Sequence, residues 1–342
     1  MNTPMTTRQR FRAVMNFEPF DRLPIVEWAT WWNLTIERWK GEGLRVPAGD
    51  DGERYEIARH FGQDLYFQDW LPTSDSECPK PASHGAPVVR SMDEYEKIRP
   101  HLFPEPSAII DKKRWSRWAA LQRRGDAVLW ITLEGFFWFP RHLLGIEPHL
   151  YAFYDEPGLM HRINDDLAAW QLRCIEEISR ICIPDFMTFA EDMSYNHGPM
   201  ISEALFDEFM LPYYAKVMPR LKEQGTIPLI DSDGDVTVPA WWFDRAGIEG
   251  ILPLERQAGV DIARLRKEHP RMRFIVHFDK LTMTKGEQVM RAEFERLLPT
   301  AAEGGFIVSV DHQTPPGVSY QEYQLFISLF REYAGEAGTR AW

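Results

Sequence analysis

The chain has 342 residues, 44% of them hydrophobic, which is enough apolar material for a large core. Its formal net charge is -12 and it has no Lys/Arg cluster, which argues against nucleic-acid binding because a phosphate backbone requires a basic surface. The three cysteines are an odd number without metal-type spacing, which argues against a disulfide framework. The polar N-terminus argues against a secretion signal, and no run of 18 apolar residues could span a membrane. We therefore expect a cytoplasmic protein.

Short apolar runs alternate with longer segments of helical periodicity along most of the chain. Near-continuously apolar strands followed by helices are typical of a parallel sheet covered by helices. Eight such runs favour a closed (β/α)₈ barrel, a TIM barrel, over an open sheet. The predicted strands are Leu23–Trp28, Asp64–Gln68, Ala127–Leu133, Phe186–Ala190, Thr226–Ile230, Gly250–Leu254, Arg273–Phe278 and Phe306–Val310.

The remaining segments complete this α/β architecture. We expect an N-terminal helical extension and a long insertion after the second strand, at 71–106, which is rich in Pro, Ser and charge and is a candidate lid. No sharp shift in composition marks a second domain, so residues 1–342 are predicted to form one domain. The predicted helices are Pro157–Arg180, Ser202–Gln224, Asp261–His269, Lys285–Ala302 and Ser319–Tyr333.

Nearly every predicted strand ends in an acidic residue. In a barrel of this kind the chemistry gathers at the carboxyl ends of the strands. Turns favour Asp, which explains some of these acids, but Glu is not a turn former. We therefore predict that Glu134, Glu191 and Glu255 bind substrate, and that Asp192 is catalytic.

The stretch Asp231-Ser232-Asp233-Gly234 follows an apolar run. With the two-residue period of a strand, Asp231 and Asp233 point the same way, and Gly234 lets the chain turn. Together with His312 from a later strand, the two carboxylates would suit zinc or another divalent metal. General acid/base chemistry or substrate hydrogen bonding by these residues, and a plain acidic turn, are the alternatives.

Two aromatic clusters also follow predicted strands. Trp28, Trp31 and Trp32 form one, and Phe137 and Trp138 belong to the other. Aromatic walls at a barrel mouth suit a flat ligand or a cationic methyl group, so we predict that these residues bind substrate. A hydrophobic lid or a dimer surface is the alternative.

Histidines add to the predicted site. His197 lies in a loop and His277 in an apolar strand, and both are predicted to bind substrate. A hydrogen-bonded core residue is the alternative for His277. Arg141 and His142 follow Pro140 at a predicted helix start; they could hold an acidic substrate or simply begin a surface helix.

Four stretches together resemble the uroporphyrinogen decarboxylase superfamily, in the branch that also contains corrinoid-dependent methyltransferases. They are Arg8–Ile25, Glu191–Tyr214, the stretch that starts with DSDGDV at Asp231, and Val310–Tyr323. The resemblance covers most of the chain, and it implies an enzyme built on a barrel that acts on a small molecule. It also admits a homodimer, as in related decarboxylases.

The sequence departs from this family at two places. Uroporphyrinogen decarboxylases grip the substrate propionates with an N-terminal Arg-x-x-Gly-Arg stretch, whereas PIVEWATWWN stands here without arginine, which argues against a porphyrinogen substrate. The zinc methyltransferases use His-x-Cys-Gly and a later Cys. Here Asp231 and Asp233 match the first two places, His312 lies near the third, and no cysteine falls at any of these places, which excludes a two-thiolate zinc site.

Two enzymatic functions remain. The first is methyl transfer from a small methoxy- or methylamine-type substrate to a corrinoid held by a partner protein, with Asp231, Asp233 and His312 polarising the leaving atom. The alternative is a cofactor-free decarboxylase of an aromatic or tetrapyrrole-type carboxylate, with Asp192 or Asp231 stabilising a protonated ring. A non-catalytic binding protein is the third hypothesis.

Overall fold

Nine strands and fifteen α-helices form an α/β structure in residues 4–340, the part of the chain that a computed structural model describes. The strands are β1 (Leu65–Trp70), β2 (Ala127–Glu134), β3 (Phe186–Ala190), β4 (Ser194–Tyr195), β5 (Gly198–Pro199), β6 (Ile227–Asp231), β7 (Gly250–Leu252), β8 (Arg273–Ile275) and β9 (Phe306–Ile307).

The helices separate the strands along the chain, as the alternation in the sequence predicts. They are α1 (Thr7–Met15), α2 (Asn33–Gly41), α3 (Glu53–His60), α4 (Met92–Ile98), α5 (Pro106–Ile109), α6 (Lys112–Arg124), α7 (Trp138–Leu144), α8 (Ile146–Asp155), α9 (Pro157–Ser179), α10 (Glu203–Phe209), α11 (Leu211–Gln224), α12 (Pro239–Arg245), α13 (Ile262–Glu268), α14 (Glu287–Ala302) and α15 (Tyr320–Arg340). None of these helices is long and apolar enough to cross a bilayer.

Seven strands hydrogen-bond in the order β1-β2-β3-β6-β7-β8-β9, and β4 and β5 form a separate antiparallel pair. The pairs β2-β3, β3-β6 and β8-β9 are parallel, as the apolar strands predict. The first of the eight predicted strands is wrong, because Leu23–Trp28 forms no strand. Pro24 has no N–H to donate to a ladder, and the N–H of Ile25 donates to the Asp64 carboxylate at 2.8 Å instead.

Several predicted boundaries also move. The predicted helix Ser202–Gln224 is two helices, α10 and α11, because Pro212 stands in the first turn of α11, where its missing N–H costs nothing. Helix α9 matches its prediction within one residue. The predicted insertion at 71–106 contains α4 and a short 3₁₀ turn at Arg99–His101. Helix α1 supplies the expected N-terminal helix, and Thr6 and Gln9 form a capping box at its start.

The chain divides into two compact units. Unit 1 comprises Met1–Phe67, Ala120–Val128 and Ile251–Trp342, and unit 2 comprises Gln68–Ala119 and Leu129–Gly250. In unit 1, Phe294 of α14 stacks on Phe326 and Tyr333 of α15, with ring centroids 5.6 and 5.1 Å apart. In unit 2, β3 is buried along its whole length. The single-domain assignment of residues 1–342 stays a prediction.

Candidate active site

The last residues of three neighbouring strands in unit 2 form one row. Glu134 of β2 pairs with Ala190 of β3, and Ala190 pairs with Asp231 of β6. Two residues earlier, Thr132 and Thr188 also pair, and their hydroxyls are 2.7 Å apart. Because side chains alternate along a strand, Glu134 and Asp231 project from the same face as these threonines. The parallel register therefore brings two predicted site residues to one edge of the sheet.

Glu191 anchors the turn that follows Glu134. Its buried carboxylate accepts the backbone N–H groups of Phe136, Phe137 and Trp138 at 2.9, 2.8 and 3.1 Å, and it also accepts the Tyr214 hydroxyl. Burial raises the pKa of Glu191 to about 7, and the four donors oppose that rise. With its acceptor sites taken by the protein, Glu191 positions the turn.

Helix α9 holds the same turn from the carbonyl side. The side chain of Asn164 donates to the Phe136 carbonyl at 3.0 Å, and that of Gln171 donates to the Glu134 carbonyl at 2.7 Å. Both side chains are fully buried. Since amides and carbonyls of the turn are both bonded, the backbone that carries Glu134 and Trp138 is fixed in place.

The acidic loop after β6 is tied to the loop after β3. The N–H of Asp233 donates to the Asp192 carboxylate at 3.1 Å, and the N–H of Met193 donates to the Ser232 hydroxyl at 3.3 Å. Asp192 has a φ of 27°, a backbone conformation that is uncommon outside glycine. A non-glycine residue held there by surrounding bonds is a frequent mark of a functional site.

Gly234 lets these two loops approach. Its φ is 84°, and a Cβ atom at this position would lie 2.7 Å from the Tyr195 nitrogen and 2.8 Å from the Ser194 carbonyl carbon. One residue later, the N–H of Asp235 donates to the Tyr195 carbonyl at 2.9 Å. The glycine of the acidic motif is therefore required for close backbone packing.

Glu134 is buried and only partly hydrogen-bonded. Its Oε1 accepts the indole N–H of Trp70 at 3.3 Å, while its Oε2 has no hydrogen-bond partner within residues 4–340. Burial, with the negative charges of Glu191 and Asp192, raises the pKa of Glu134 to about 7. A buried carboxyl oxygen without a partner is costly, which is typical of a group that awaits a ligand.

Asp231 carries the stronger perturbation. Burial and the charges of Asp192, Asp233 and Glu134 raise the pKa of Asp231 well above its ordinary value of 3.8. Ionisation of Asp231 would place another negative charge beside these acids, which is unfavourable. The raised pKa favours the protonated carboxyl of Asp231, which is the form that can act as a proton donor.

Helix α7 lies beside the carboxyl row, by which we mean Glu134 and Asp231 at the ends of β2 and β6. The Nδ1 of His142 lies 3.8 Å from Oε2 of Glu134, and the His142 ring meets Trp138 edge-on at 4.7 Å. The guanidinium of Arg141 lies 4.6 Å from the Trp138 ring centre. Burial and the charge of Arg141 lower the pKa of His142, so its imidazole is neutral beside the acids.

The other predicted residues of unit 2 occupy different surroundings. Phe137 is fully buried and packs edge-on against His149 at 4.7 Å, which is a packing contact. His197 is exposed and meets Tyr195 edge-on at 5.7 Å. Their predicted substrate contacts stay predictions.

Unit 1 holds the remaining predicted residues. His277 is fully buried; its Nδ1 lies 2.7 Å from the Leu254 carbonyl and its Nε2 lies 3.2 Å from a nitrogen of Arg296. Burial lowers the pKa of His277 to about 4, so the ring is neutral. Burial and the charge of Lys280 lower the pKa of His312, and Glu255 opposes that change.

The three predicted tryptophans differ in exposure. Trp31 is 4% exposed and packs edge-on against Trp39 and Tyr323 at 6.0 and 5.9 Å, whereas Trp32 is 49% exposed. The backbone N–H of Trp28 donates to the Ser309 hydroxyl at 3.1 Å. Trp31 thus belongs to an aromatic core, and substrate contact by all three stays a prediction.

The predicted metal ligands fall in both units, with Asp231 and Asp233 in unit 2 and His312 in unit 1. Across residues 4–340, no group of three or more His, Cys, Asp or Glu side chains is arranged to hold a metal ion. A zinc or other divalent ion on Asp231, Asp233 and His312 stays a prediction.

Sequence reasoning missed the residues that position the row. Asn164 and Gln171 lie on the buried stripe of α9, where two amides seven residues apart were the available signal. Gly135, directly after Glu134, was a second signal, and the structure shows that a Cβ atom there would lie 2.6 Å from the Ala190 carbonyl oxygen. Tyr214 reads as an ordinary core aromatic in the sequence.

Comparisons with known proteins bear on the family and the fold of this chain. The model of the family described as uroporphyrinogen decarboxylase (URO-D) matches residues 145–333, more than half of the chain. A solved methyltransferase from Methanosarcina mazei has a similar fold, with a TM-score of 0.63 and 15% identity over 96% of this chain and 99% of that chain. A structure from work on the pneumococcal virulence factor StrH and N-glycan hydrolysis has a TM-score of 0.38 and 9% identity, over 94% of this chain and 84% of that chain. No curated protein matches the chain.

Proposed function

Because this chain belongs to the uroporphyrinogen decarboxylase (URO-D) family, we propose that it is an enzyme which transfers a methyl group from a small methylated substrate to a corrinoid on a partner protein. The observation that carries the proposal is the alignment of Glu134 and Asp231 at the ends of β2 and β6, two carboxyls whose pKa values are raised. The fold shared with the Methanosarcina mazei methyltransferase is compatible with it.

The row supplies the proton that methyl transfer from oxygen requires. A reduced corrinoid would serve as the nucleophile that accepts the methyl group. An alkoxide or phenoxide is a poor leaving group, and protonation by Asp231 lets it leave as a neutral alcohol or phenol. The step leaves Asp231 as a carboxylate, which is unfavourable among the neighbouring acids. Uptake of a proton from water restores the acid.

The row also restricts the charge of the reacting group. The negative charges of Asp192 and Asp233 act on Asp231, so a substrate carboxylate placed beside them would be repelled. A neutral methoxy group carries no such penalty, and a methylated amine would be attracted. This favours a methyl donor over a carboxylate as the group that reacts at the row.

Decarboxylation of an aromatic carboxylate is the second candidate. It is favoured by the family to which the chain belongs and by Arg141, a cation at the rim of the row. In that reaction Asp192 or Asp231 would stabilise a protonated ring while Arg141 held the carboxylate. Porphyrinogens carry several carboxylates, which this acidic row would repel.

The test compares wild type with Asp231→Asn, an isosteric change that removes the proton. Methoxybenzoates, methoxyphenols and trimethylamine are incubated with reduced cobalamin, and methylation of the cobalamin is followed by its absorption spectrum. We expect wild type to turn over a methoxy donor and Asp231→Asn to be about 100-fold slower or worse. Asp244→Asn, exposed on α12, is the matched control and keeps full activity.

A second readout separates the two reactions. The same incubations are analysed for CO₂ release and for loss of the substrate carboxyl. Release of CO₂ without methylation of cobalamin would assign the decarboxylase instead. Full methyl transfer by Asp231→Asn would remove Asp231 as the proton donor.

A further inference from the structure

We propose that a cavity beside helix α7 binds the substrate by an anionic group and a planar ring, which makes the methyl donor a methoxylated aromatic carboxylate. The inference rests on the proposed methyl transfer and names the substrate class for the same site. It concerns residues of unit 2 alone, namely the 73–86 segment and the start of α7.

The cavity has a volume of about 500 Å³, which suits a ligand of one or two rings. Its walls come from the 73–86 segment on one side and from α7 and the following turn on the other. Phe139, Leu143 and Ile146 make much of the α7 side apolar, and Trp138 adds an aromatic surface. These walls favour a planar, apolar ligand body.

Arg141 is the main polar anchor in this cavity. Its guanidinium stacks on Trp138 and is only partly exposed, and it makes no hydrogen bond or ion pair within residues 4–340. Burial lowers the pKa of Arg141, and the charge of Asp192 opposes that change. A half-buried guanidinium with its donors unused matches the geometry of a carboxylate.

The charges around Arg141 leave the cavity receptive to an anion. Lys80 supplies a second cation on the opposite wall. The one carboxylate among the lining residues, that of Asp75, is engaged by its own segment: it accepts the backbone N–H groups of Glu77 and Cys78 at 2.9 and 3.1 Å and lies 3.3 Å from His101.

The cavity adjoins the carboxyl row through two side chains that line it. Trp138 and His142 both face the cavity, and His142 lies 3.8 Å from the unbonded oxygen of Glu134. A ligand held by its carboxylate on Arg141 therefore extends past Trp138 towards Glu134. The carboxylate then pairs with the Arg141 guanidinium while the methoxy group points towards Glu134, and this pairing makes a negatively charged substrate compatible with the nearby acids.

The walls are preformed rather than loosely apposed. The N–H groups of Val88 and Val89 both donate to the Leu143 carbonyl, at 2.8 and 2.9 Å, and the N–H of Ile146 donates to the Gly85 carbonyl at 3.1 Å. The 73–86 segment is thus bonded to the turn after α7. A preformed cavity spends less of its binding energy on ordering the protein.

The test is direct binding, measured by isothermal titration calorimetry without any methyl acceptor. The ligands are 2-, 3- and 4-methoxybenzoate, each paired with its neutral methoxybenzamide. We expect at least one methoxybenzoate to bind, and its amide to bind about 10- to 100-fold more weakly, since a hydrogen-bonded charge pair contributes about 1.5–3 kcal/mol.

Variants place the anionic group at Arg141. Arg141→Gln should weaken the methoxybenzoate by the same factor and leave the amide unchanged, whereas Arg90→Gln, exposed outside the cavity, should bind like wild type. Equal binding of acid and amide by wild type, or unchanged binding by Arg141→Gln, would overturn the proposal. The comparison of acid and amide on wild type stands even if Arg141→Gln fails to fold.

The two proposals fail separately. Tight, Arg141-dependent binding of a methoxybenzoate without methylation of cobalamin retains the cavity and removes methyl transfer. Methylation of cobalamin from a neutral donor, at a rate that Arg141→Gln leaves unchanged, retains methyl transfer and removes the cavity as the substrate site.

Discussion

Adjacent strand ends give two buried glutamates opposite tasks. Glu191 accepts four hydrogen bonds from the protein, whereas Glu134 accepts one and leaves Oε2 without a hydrogen-bond partner in the described chain. Burial raises the pKa of both to about 7. The hydrogen bonds, and not the pKa values, therefore separate the anchoring residue from the residue that is available to a ligand.

Gly135 is predicted to be essential for the hydrogen bonding of Glu191 to the turn after β2. The Cβ atom of an alanine would overlap the Glu191 carboxylate and lie 2.6 Å from the Ala190 carbonyl oxygen. We expect Gly135→Ala to lower the free energy of unfolding by about 1–3 kcal/mol and to abolish activity. Denaturant titration measures the first effect and the cobalamin assay the second.

Gly158→Ala is the matched control, since a Cβ atom there meets nothing within 4 Å at the start of α9. It should be neutral or slightly stabilising. Wild-type stability and activity in Gly135→Ala would show that the turn tolerates displacement of Glu191.

At the scale of elements, the turn between α7 and α8 holds the cavity wall. Gly145 has a φ of 84° and a ψ of 162°, a conformation that is essentially restricted to glycine. A Cβ atom there would lie 2.6 Å from the Gly85 carbonyl oxygen and 2.8 Å from the Pro87 nitrogen. The glycine permits the backbone contact that joins the 73–86 segment to α7.

Gly145→Ala should therefore release that segment. We expect faster amide hydrogen exchange in residues 73–89, and weaker binding of methoxybenzoate, with the exchange of β3 unchanged. Mass spectrometry of peptic fragments measures both regions in one experiment. If the exchange of 73–89 stays at the wild-type rate, the contact between Gly145 and Gly85 does not hold the wall.

Sequence patterns predicted the helices and strands better than they predicted the contacts between them. The acids at the ends of β2, β3 and β6 were identifiable because the apolar runs stop at them. The register that aligns Glu134 with Asp231 was not, since it depends on hydrogen bonds between distant backbones. The error at Leu23–Trp28 has the same origin: an apolar run shows burial, while only its partners show whether it joins a ladder.

At the scale of the whole molecule, buried ionisable groups set how stability depends on pH. The carboxyls with raised pKa values are Glu27, Glu134, Glu191, Asp231 and Asp311. The three glutamates shift from 4.5 to about 7, so unfolding releases their protons between those values, and stability falls as pH rises through that window. His149 and His277, with pKa values of about 3 and 4, act oppositely up to 6.5.

The fall in stability should thus be clearest above pH 6.5, where the histidines no longer oppose it. We expect a lower thermal midpoint at pH 8 than at pH 6.5, at a cost on the order of 1 kcal/mol per glutamate. Glu134→Gln should reduce the difference, and Glu208→Gln, exposed on α10, should not. A midpoint that rises from pH 6.5 to 8 would show that these carboxyls are ionised in the folded protein at neutral pH.

Family membership could also be anticipated from the sequence, because four stretches in the right order were sufficient to indicate it. The cavity could not. Its lining residues, such as Lys80 and Arg141, lie on separate segments with no shared motif, and only the backbone bonds between Gly85, Leu143 and their partners bring them together. Long-range packing of this kind has no local signature.

The alignment of Glu134, Ala190 and Asp231 has a consequence for redesign. Strand pairing is made by the backbone, so the middle position can change its side chain while the ladder remains. Ala190 carries a single methyl group between two acids. Placing a histidine or cysteine there would add a nucleophile or a third ligand to a ready-made pair of carboxyls. The strand end thus offers an interchangeable position at which one substitution can give this scaffold a different chemistry.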